Sequence, residues 1–93
     1  NAGMRSFKKM RGIKLNYDEQ GLIYFICRNI RKQPQRVQEK ILNLCVDVAG
    51  AEYYQALYAM LTTEDSIRSI AISFCVSESQ LYRLRKMFYE KWT

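Results

Sequence analysis

The chain has 93 residues, of which 48% are hydrophobic, and a formal net charge of +6. This length accommodates one domain but not two independent cores, and the apolar content excludes wholesale disorder. With four glycines and one proline, the chain lacks the many tight turns of a β-sandwich, so we expect an all-α fold. The positive charge favours an anionic partner, either nucleic acid or a membrane surface.

The sequence offers little that an enzyme or a metal centre would need. It has no histidine, and its three cysteines, Cys27, Cys45 and Cys75, show no C-x-x-C spacing. A glycine-rich phosphate loop and a convincing carboxylate pair are also missing. We therefore expect no enzymatic activity, no catalytic residues, no metal and no cofactor, and we interpret the cysteines as three buried thiols in a reducing cytoplasm.

No apolar run approaches the ~18 residues of a membrane span, and no signal-peptide pattern is visible, so we expect a cytoplasmic protein without a membrane partner.

Residues 1–3 look like the remnant of an expression tag, with Met4 as the expected native start. Residues 4–16 carry five basic side chains and no acidic one. We divide the chain into this basic N-terminal segment, residues 1–16, and a helical domain, residues 17–93. Two interpretations of the segment stay open, a solvated tail or an arm that contacts a phosphate backbone.

Apolar periodicity predicts a compact bundle of about five helices in the domain. Asp18 and Ser66 are expected N-caps, Pro34 fits the first turn of a helix, and Gly50 is an expected C-cap. The tyrosines of the third helix fit either a core or a dimer surface. The predicted helices cover residues 18–32, 34–50, 51–61, 67–74 and 78–91.

Residues 66–92 have the pattern of a helix-turn-helix. Ala71 is small enough to let a following helix cross closely, and a tight turn of about three residues ends at Val76. Ser77 and Gln80 then form the capping-box pattern S-x-x-Q that begins the next helix. Two helices packed at a steep angle across a short turn are typical of DNA-binding domains.

The last helix has two distinct faces at about 100° per residue. Its apolar face consists of Leu81, Leu84, Phe88 and Trp92. On the opposite face and its margins lie the residues that we expect to contact DNA, namely Ser79, Gln80, Tyr82, Arg83 and Lys86.

Within this set, Arg83 is expected to read a guanine edge, whereas Ser79 and Gln80 are placed for bases or phosphates. Lys86 and Arg85 are assigned to the phosphate backbone, and Arg85 also has a structural alternative because it flanks the apolar face. Arg68, on the preceding helix, is a further candidate contact. The aromatic residues show helical spacing that favours core packing over base stacking, with Tyr82 and Tyr89 as the expected exposed members.

The runs Ser66-Ile67-Arg68-Ser69-Ile70-Ala71, Val76-Ser77-Glu78-Ser79 and Leu81-Tyr82-Arg83-Leu84-Arg85-Lys86 resemble the helix-turn-helix of bacterial sigma factor region 4. They are also similar to small phage transcriptional activators of the RinA and ArpU type. The resemblance covers residues 66–92 and implies a transcriptional regulator of a phage or another mobile element. Cys75 departs from the pattern, which has glycine in the turn, so a positive φ there would be strained. The first 60 residues match no such family and lack the promoter-reading region of a complete sigma factor.

The leading hypothesis is therefore sequence-specific binding of double-stranded DNA. The first alternative is a protein-interaction domain of the same shape, with RNA polymerase or a phage component as its partner. A DNA-recognition module like that of a terminase small subunit is the second. Dimerisation to read two half-sites stays open.

Overall fold

The computed structural model describes residues 10–92, and every regular element in that range is helical. The all-α prediction is thereby confirmed. The radius of gyration, 12.7 Å, is that of a single globular unit of this length. No helix within the described range is long and apolar enough to cross a membrane. The elements in chain order are α1 Tyr17–Arg28, a 3-10 turn at Ile30–Lys32, α2 Gln35–Thr62, α3 Ile67–Phe74 and α4 Glu78–Trp92.

The long helix α2 takes the place of two of the five predicted helices. Gly50 adopts φ 77° and ψ 173°, a conformation that is essentially restricted to glycine. Helical residues nevertheless continue directly on both sides of it, so residues 35–49 and 51–62 are two arms of one element. The helix boundary predicted at Gly50 is therefore present, but no loop separates the two arms, so residues 10–92 contain four α-helices rather than the five separate helices expected.

Helix α1 begins and ends earlier than the sequence pattern predicts. Its N-cap is Asn16 rather than Asp18: Asn16 Oδ1 accepts a hydrogen bond from the Glu19 N–H at 2.8 Å, and Glu19 Oε1 accepts one from the Asn16 N–H at 2.9 Å. This reciprocal pair is a capping box. At the other end, the Asn29 side-chain amide donates to the Phe25 carbonyl at 2.8 Å, which terminates α1 before the separate 3-10 turn.

A fully buried glutamine joins the segment before α1 to the core. Gln20 Oε1 accepts a hydrogen bond from the Met10 N–H at 2.7 Å. Its Nε2 group donates to the carbonyls of Met10 and Leu15, at 3.2 and 2.9 Å. These bonds satisfy polar groups that would otherwise be buried without partners. Residues 10–16 are thus irregular but packed on the helices, whereas residues 1–9 of the predicted segment lie outside the described range.

The core lies where α4 crosses the other helices, most extensively α2 and also α1 and α3. Cys27 and Cys45 are buried in it, as predicted, and burial raises the pKa of each thiol to about 12. Cys75 is exposed, contrary to the prediction, because it lies in the turn after α3 rather than on a packed helix face. The side chains with the least exposure include Ile23, Ile41, Leu57, Leu81 and Phe88.

The second arm of α2 contributes to this core and leaves its tyrosines at the boundary. Ala56, Leu57, Met60 and Leu61 are buried. Tyr53, Tyr54 and Tyr58 are partly buried and pack against the same core, which favours the core interpretation of this stretch over a dimer surface.

Replacing Gln20 by leucine is expected to lower the free energy of unfolding by about 2–4 kcal/mol. The change keeps an apolar stem of similar volume but leaves the Met10 amide and two carbonyls buried without partners, each at a cost of about 1–3 kcal/mol that relaxation partly relieves. Urea unfolding followed by fluorescence of Trp92 measures the effect. The matched control is Gln55→Leu, at an exposed position of α2, with an expected change within about 0.5 kcal/mol. Equal effects of the two substitutions would show that the buried amide does not hold this segment.

Candidate nucleic-acid interface

Helices α3 and α4 are joined by the three residues 75–77, and serine side chains cap the start of both. Ser66 Oγ accepts a hydrogen bond from the Ser69 N–H, and Ser77 Oγ accepts one from the Gln80 N–H, each at 3.1 Å. These bonds satisfy backbone donors that the first helical turn leaves unpaired. The expected capping by Ser66 and Ser77 is therefore present, although the Gln80 side chain bonds elsewhere, to Arg83.

The turn depends on a left-handed residue. Cys75 adopts φ 57° and ψ 46°, and no other non-glycine residue in the described range has a positive φ. The N–H of Val76 donates to the Ala71 carbonyl at 3.0 Å, and that of Cys75 donates to the Ile72 carbonyl at 3.4 Å. This pattern is a Schellman motif, which usually has glycine at the left-handed position. Cys75 therefore carries the backbone strain that its place in the sequence pattern predicted.

The inner side of α4 is packed into the core. Leu81, Leu84 and Phe88 are buried, and Trp92 is half-buried, in agreement with the predicted apolar face. Tyr89 is only 2% exposed, although the sequence pattern predicts an exposed ring. The prediction is wrong because it considered only one apolar face of α4. Helix α1 also packs against α4 and covers the side that bears Tyr89.

The outer side of α4 brings together the predicted contact residues. Ser79, Tyr82, Arg83 and Lys86 are exposed, and Gln80 is half-buried at the margin. The Arg83 guanidinium donates a hydrogen bond from Nη2 to Gln80 Oε1. This bond holds the guanidinium along the first turns of α4, while its remaining N–H groups stay available for a ligand.

The two other predicted contact residues are Arg68 on α3 and Arg85 on α4. Arg68 is exposed on α3. Arg85 is half-buried on α4, and its Cζ atom lies 5.2 Å from the centre of the Tyr82 ring. Burial lowers the pKa of Arg85, so this cation has lost much of its hydration.

Residues 10–16 lie beside the same helix, a placement that sequence reasoning missed. Lys86 Nζ is 3.6 Å from the position that a Cβ atom on Gly12 would occupy. Arg11 and Lys14, on either side of Gly12 in the chain, are exposed. The position of Gln20 in the sequence could have indicated that residues 10–16 pack here. Gln20 shares the buried face of α1 with Ile23 and Cys27, so its amide needs hydrogen-bond partners from another segment.

Within residues 10–92, no group of three or more His, Cys, Asp or Glu side chains is arranged to hold a metal ion. Comparisons with protein-family models, curated proteins and solved structures found no match to this chain. Its function is therefore inferred from the chemistry and geometry of its residues.

Replacing Cys75 by glycine is expected to raise the free energy of unfolding by about 1 kcal/mol. Glycine removes a left-handed strain of about 1–2 kcal/mol, and the greater flexibility of the unfolded chain offsets part of the gain. Urea unfolding measures the change. The matched control is Ser73→Gly, at an exposed helical position of α3. This substitution should instead lower the free energy of unfolding by about 0.5 kcal/mol. Destabilisation by both substitutions would contradict a strained turn.

Proposed function

We propose that the chain binds double-stranded DNA sequence-specifically through a helix-turn-helix at residues 66–92, with α4 as its recognition helix. The observation that carries the proposal is the division of α4 into two sides. Its apolar side is buried, while Ser79, Arg83 and Lys86 stay exposed on the side that faces away from the core. This outward side presents hydrogen-bond donors and positive charge, as contact with base edges and phosphates requires.

The length and packing of α4 suit insertion into the major groove. Its 15 residues extend over about 22 Å at about 1.5 Å per residue, and a major groove about 12 Å wide admits a single helix. Because the core and the Schellman turn fix both the axis and the start of α4, its side chains would enter the groove from a rigid support. Such rigidity lowers the entropy lost on binding.

Arg83 is the residue that we assign to base readout. A guanidinium can donate two parallel hydrogen bonds to O6 and N7 of guanine, which is the commonest specific contact in the major groove. The hydrogen bond to Gln80 restricts the rotamers of Arg83 before DNA arrives. Ser79, one turn before Arg83, and Tyr82 would contact neighbouring bases or phosphates.

Phosphate contacts are assigned to Lys86, Arg68 and the basic residues of the N-terminal segment. Arg11 and Lys14 are exposed on the segment that passes Lys86. Together these charges would extend the basic surface beyond α4 itself. Contacts of this kind add affinity without sequence preference and make binding dependent on salt.

On the basis of the resemblance to sigma factor region 4 and to small phage activators, we extend the proposal to transcriptional regulation in a phage or another mobile element, in the cytoplasm.

A second candidate function, protein binding by the same unit, is favoured by the exposed apolar residues of α3. Ile72 is 70% exposed and Phe74 is 40% exposed, so each offers apolar surface that contact with another protein would bury. RNA polymerase is the partner that the resemblance suggests for this candidate.

Arg83→Ala is expected to weaken binding to the cognate duplex about 5- to 150-fold, because a bidentate guanine contact contributes about 1–3 kcal/mol. Selection of bound duplexes from a random pool provides the target, and fluorescence anisotropy measures the dissociation constant. The control is Arg36→Ala, which removes the same charge at an exposed position of α2. Base readout by Arg83 would be refuted if the parent chain bound no duplex, or if the two variants lost equal affinity for the duplex. Capture of RNA polymerase without duplex binding would support the second candidate function, protein binding.

Lys86→Ala is expected to weaken binding to cognate and unrelated duplexes alike. Loss of one phosphate contact should reduce the slope of log K against log salt by about 0.9. Anisotropy titrations at several salt concentrations measure this slope. Lys40→Ala, on α2, is the control and should leave the slope unchanged. A loss confined to the cognate duplex would instead place Lys86 on a base.

A further inference from the structure

A cleft lies between the end of α1 and the end of α2. Its volume is about 530 Å³, which is within the range of about 300–1,000 Å³ that is typical of small-molecule sites. One wall consists of the last residue of α1, Asn29 and the 3-10 turn, and the other consists of the last residue of α2 and the two residues after it. The described lining is therefore residues 28–32 and 62–64.

Positive charge dominates this cleft. Arg28, Arg31 and Lys32 line it together with one carboxylate, that of Glu64. Within residues 10–92, the ion pair that forms joins Lys91 to Asp47, so none of the three cations of the cleft is paired with a carboxylate in that range. The lining has two positive charges in excess, and an anion in the cleft would be stabilised by them.

Neutral donors, rather than these cations, cap the two helices that end at the cleft. Asn29 donates to the Phe25 carbonyl from its backbone N–H, at 3.0 Å, and from its side-chain amide, at 2.8 Å. At the end of α2, Thr62 and Thr63 each donate from Oγ1 to a carbonyl four residues earlier, at 2.7 Å. Basic side chains near a helix end often bond its last carbonyls, but here these carbonyls already have partners.

Arg28 has a hydrogen-bond donor that the fold does not use. Its Nε atom is inaccessible to solvent and makes no hydrogen bond. Its Cζ atom lies 4.9 Å from the centre of the Tyr24 ring, and the attraction between the cation and the ring favours this position of the guanidinium. Because buried donors on charged groups are normally satisfied, the unused donor is a second sign that Arg28 has a partner outside the fold.

We propose that this cleft binds the phosphate group of a phosphorylated small molecule. A phosphate monoester carries about two negative charges at neutral pH, which matches the excess positive charge of the lining. Its oxygens accept hydrogen bonds from several directions, so guanidinium and ammonium groups at different positions can bind it together. A phosphate of the DNA backbone carries about one negative charge, so the charge balance favours a monoester.

The neutral lining residues indicate the chemistry of the rest of the ligand. Thr62 Oγ1 donates its hydrogen to the Tyr58 carbonyl, so it can act toward a ligand only as an acceptor. The side-chain oxygen of Asn29 is an acceptor as well. We therefore expect the rest of the molecule to carry hydroxyl or amino donors, as a sugar phosphate or a nucleotide does.

This site is separate from the proposed DNA surface. Its described lining belongs to α1, α2 and the segments next to them, whereas the proposed recognition helix is α4. Loss of duplex binding would leave the phosphate site intact, and loss of phosphate binding would leave the DNA proposal intact. The two proposals can therefore fail separately.

The test is a titration of the unmodified chain with inorganic phosphate, followed by nuclear magnetic resonance. We expect the backbone amide signals of residues 28–32 and 62–64 to shift saturably, relative to sodium chloride of equal ionic strength. A duplex of unrelated sequence should not displace the phosphate. The absence of saturable shifts at the cleft would overturn the proposal, and displacement by the duplex would assign the cleft to the DNA backbone instead of a small molecule.

Substitutions then assign the binding to the cleft. Arg31→Gln and Lys32→Gln should each weaken phosphate binding about tenfold, because each removes a charge-assisted hydrogen bond. Both side chains are exposed, so their replacement should have little effect on folding. The control is Arg36→Gln, which removes equal charge at an exposed position of α2 outside the lining and should leave binding unchanged. Equal weakening by all three substitutions would show a general attraction to positive charge and overturn the site.

Discussion

Burial of the apolar side of α4 is the interaction on which the other elements depend. Leu81 and Phe88 reach essentially complete burial. Helix α4 packs against α1, α2 and α3, and its most extensive contact is with α2. At its far end the Trp92 ring lies 5.8 Å from Phe88 and 4.1 Å from Lys40 Nζ. Removing α4 would therefore expose the inner faces of three helices at once, and a domain of this size has no second core to compensate.

The same packing decides which residues of α4 can meet a ligand. A helix that is covered on two flanks keeps only one narrow strip in contact with solvent. Arg83 and Lys86 lie on that strip, whereas Arg85 is half-buried. Stability and recognition thus use different sides of one helix, so a substitution on the outer strip can change binding with little effect on folding.

The helical parts of this fold could be predicted from the sequence because apolar spacing and capping residues act locally. Ser66, the α3 boundaries and the inner residues of α4 belong to this class. The break at Gly50 was predicted as well, because glycine readily adopts the positive φ that ends the first arm of α2. The N-cap of α1 was misplaced although the sequence contains the distinguishing signal. Glu19 follows Asn16 by three residues, which is the spacing of a capping box, whereas the residue three after Asp18 is a glycine.

Features that depend on contacts between distant segments could not be predicted from the spacing of apolar residues. Burial of Tyr89 required knowing that α1 covers α4, and the position of residues 10–16 required the partners of Gln20. For the candidate interface, the spacing placed Ser79, Arg83 and Lys86 on one side of α4, but it did not indicate that residues 10–16 pass beside Lys86. Local periodicity describes one helix at a time, whereas these placements depend on contacts between separate segments.

The three cysteines lie in two different chemical environments. The thiols of Cys27 and Cys45, each with a pKa of about 12, remain protonated and enclosed, and are therefore poor nucleophiles at neutral pH. Cys75 is exposed at the corner between α3 and α4. A thiol-directed fluorophore or spin label would accordingly attach at this corner without prior removal of the other cysteines, which gives the folded domain a single reporter position next to its proposed DNA surface.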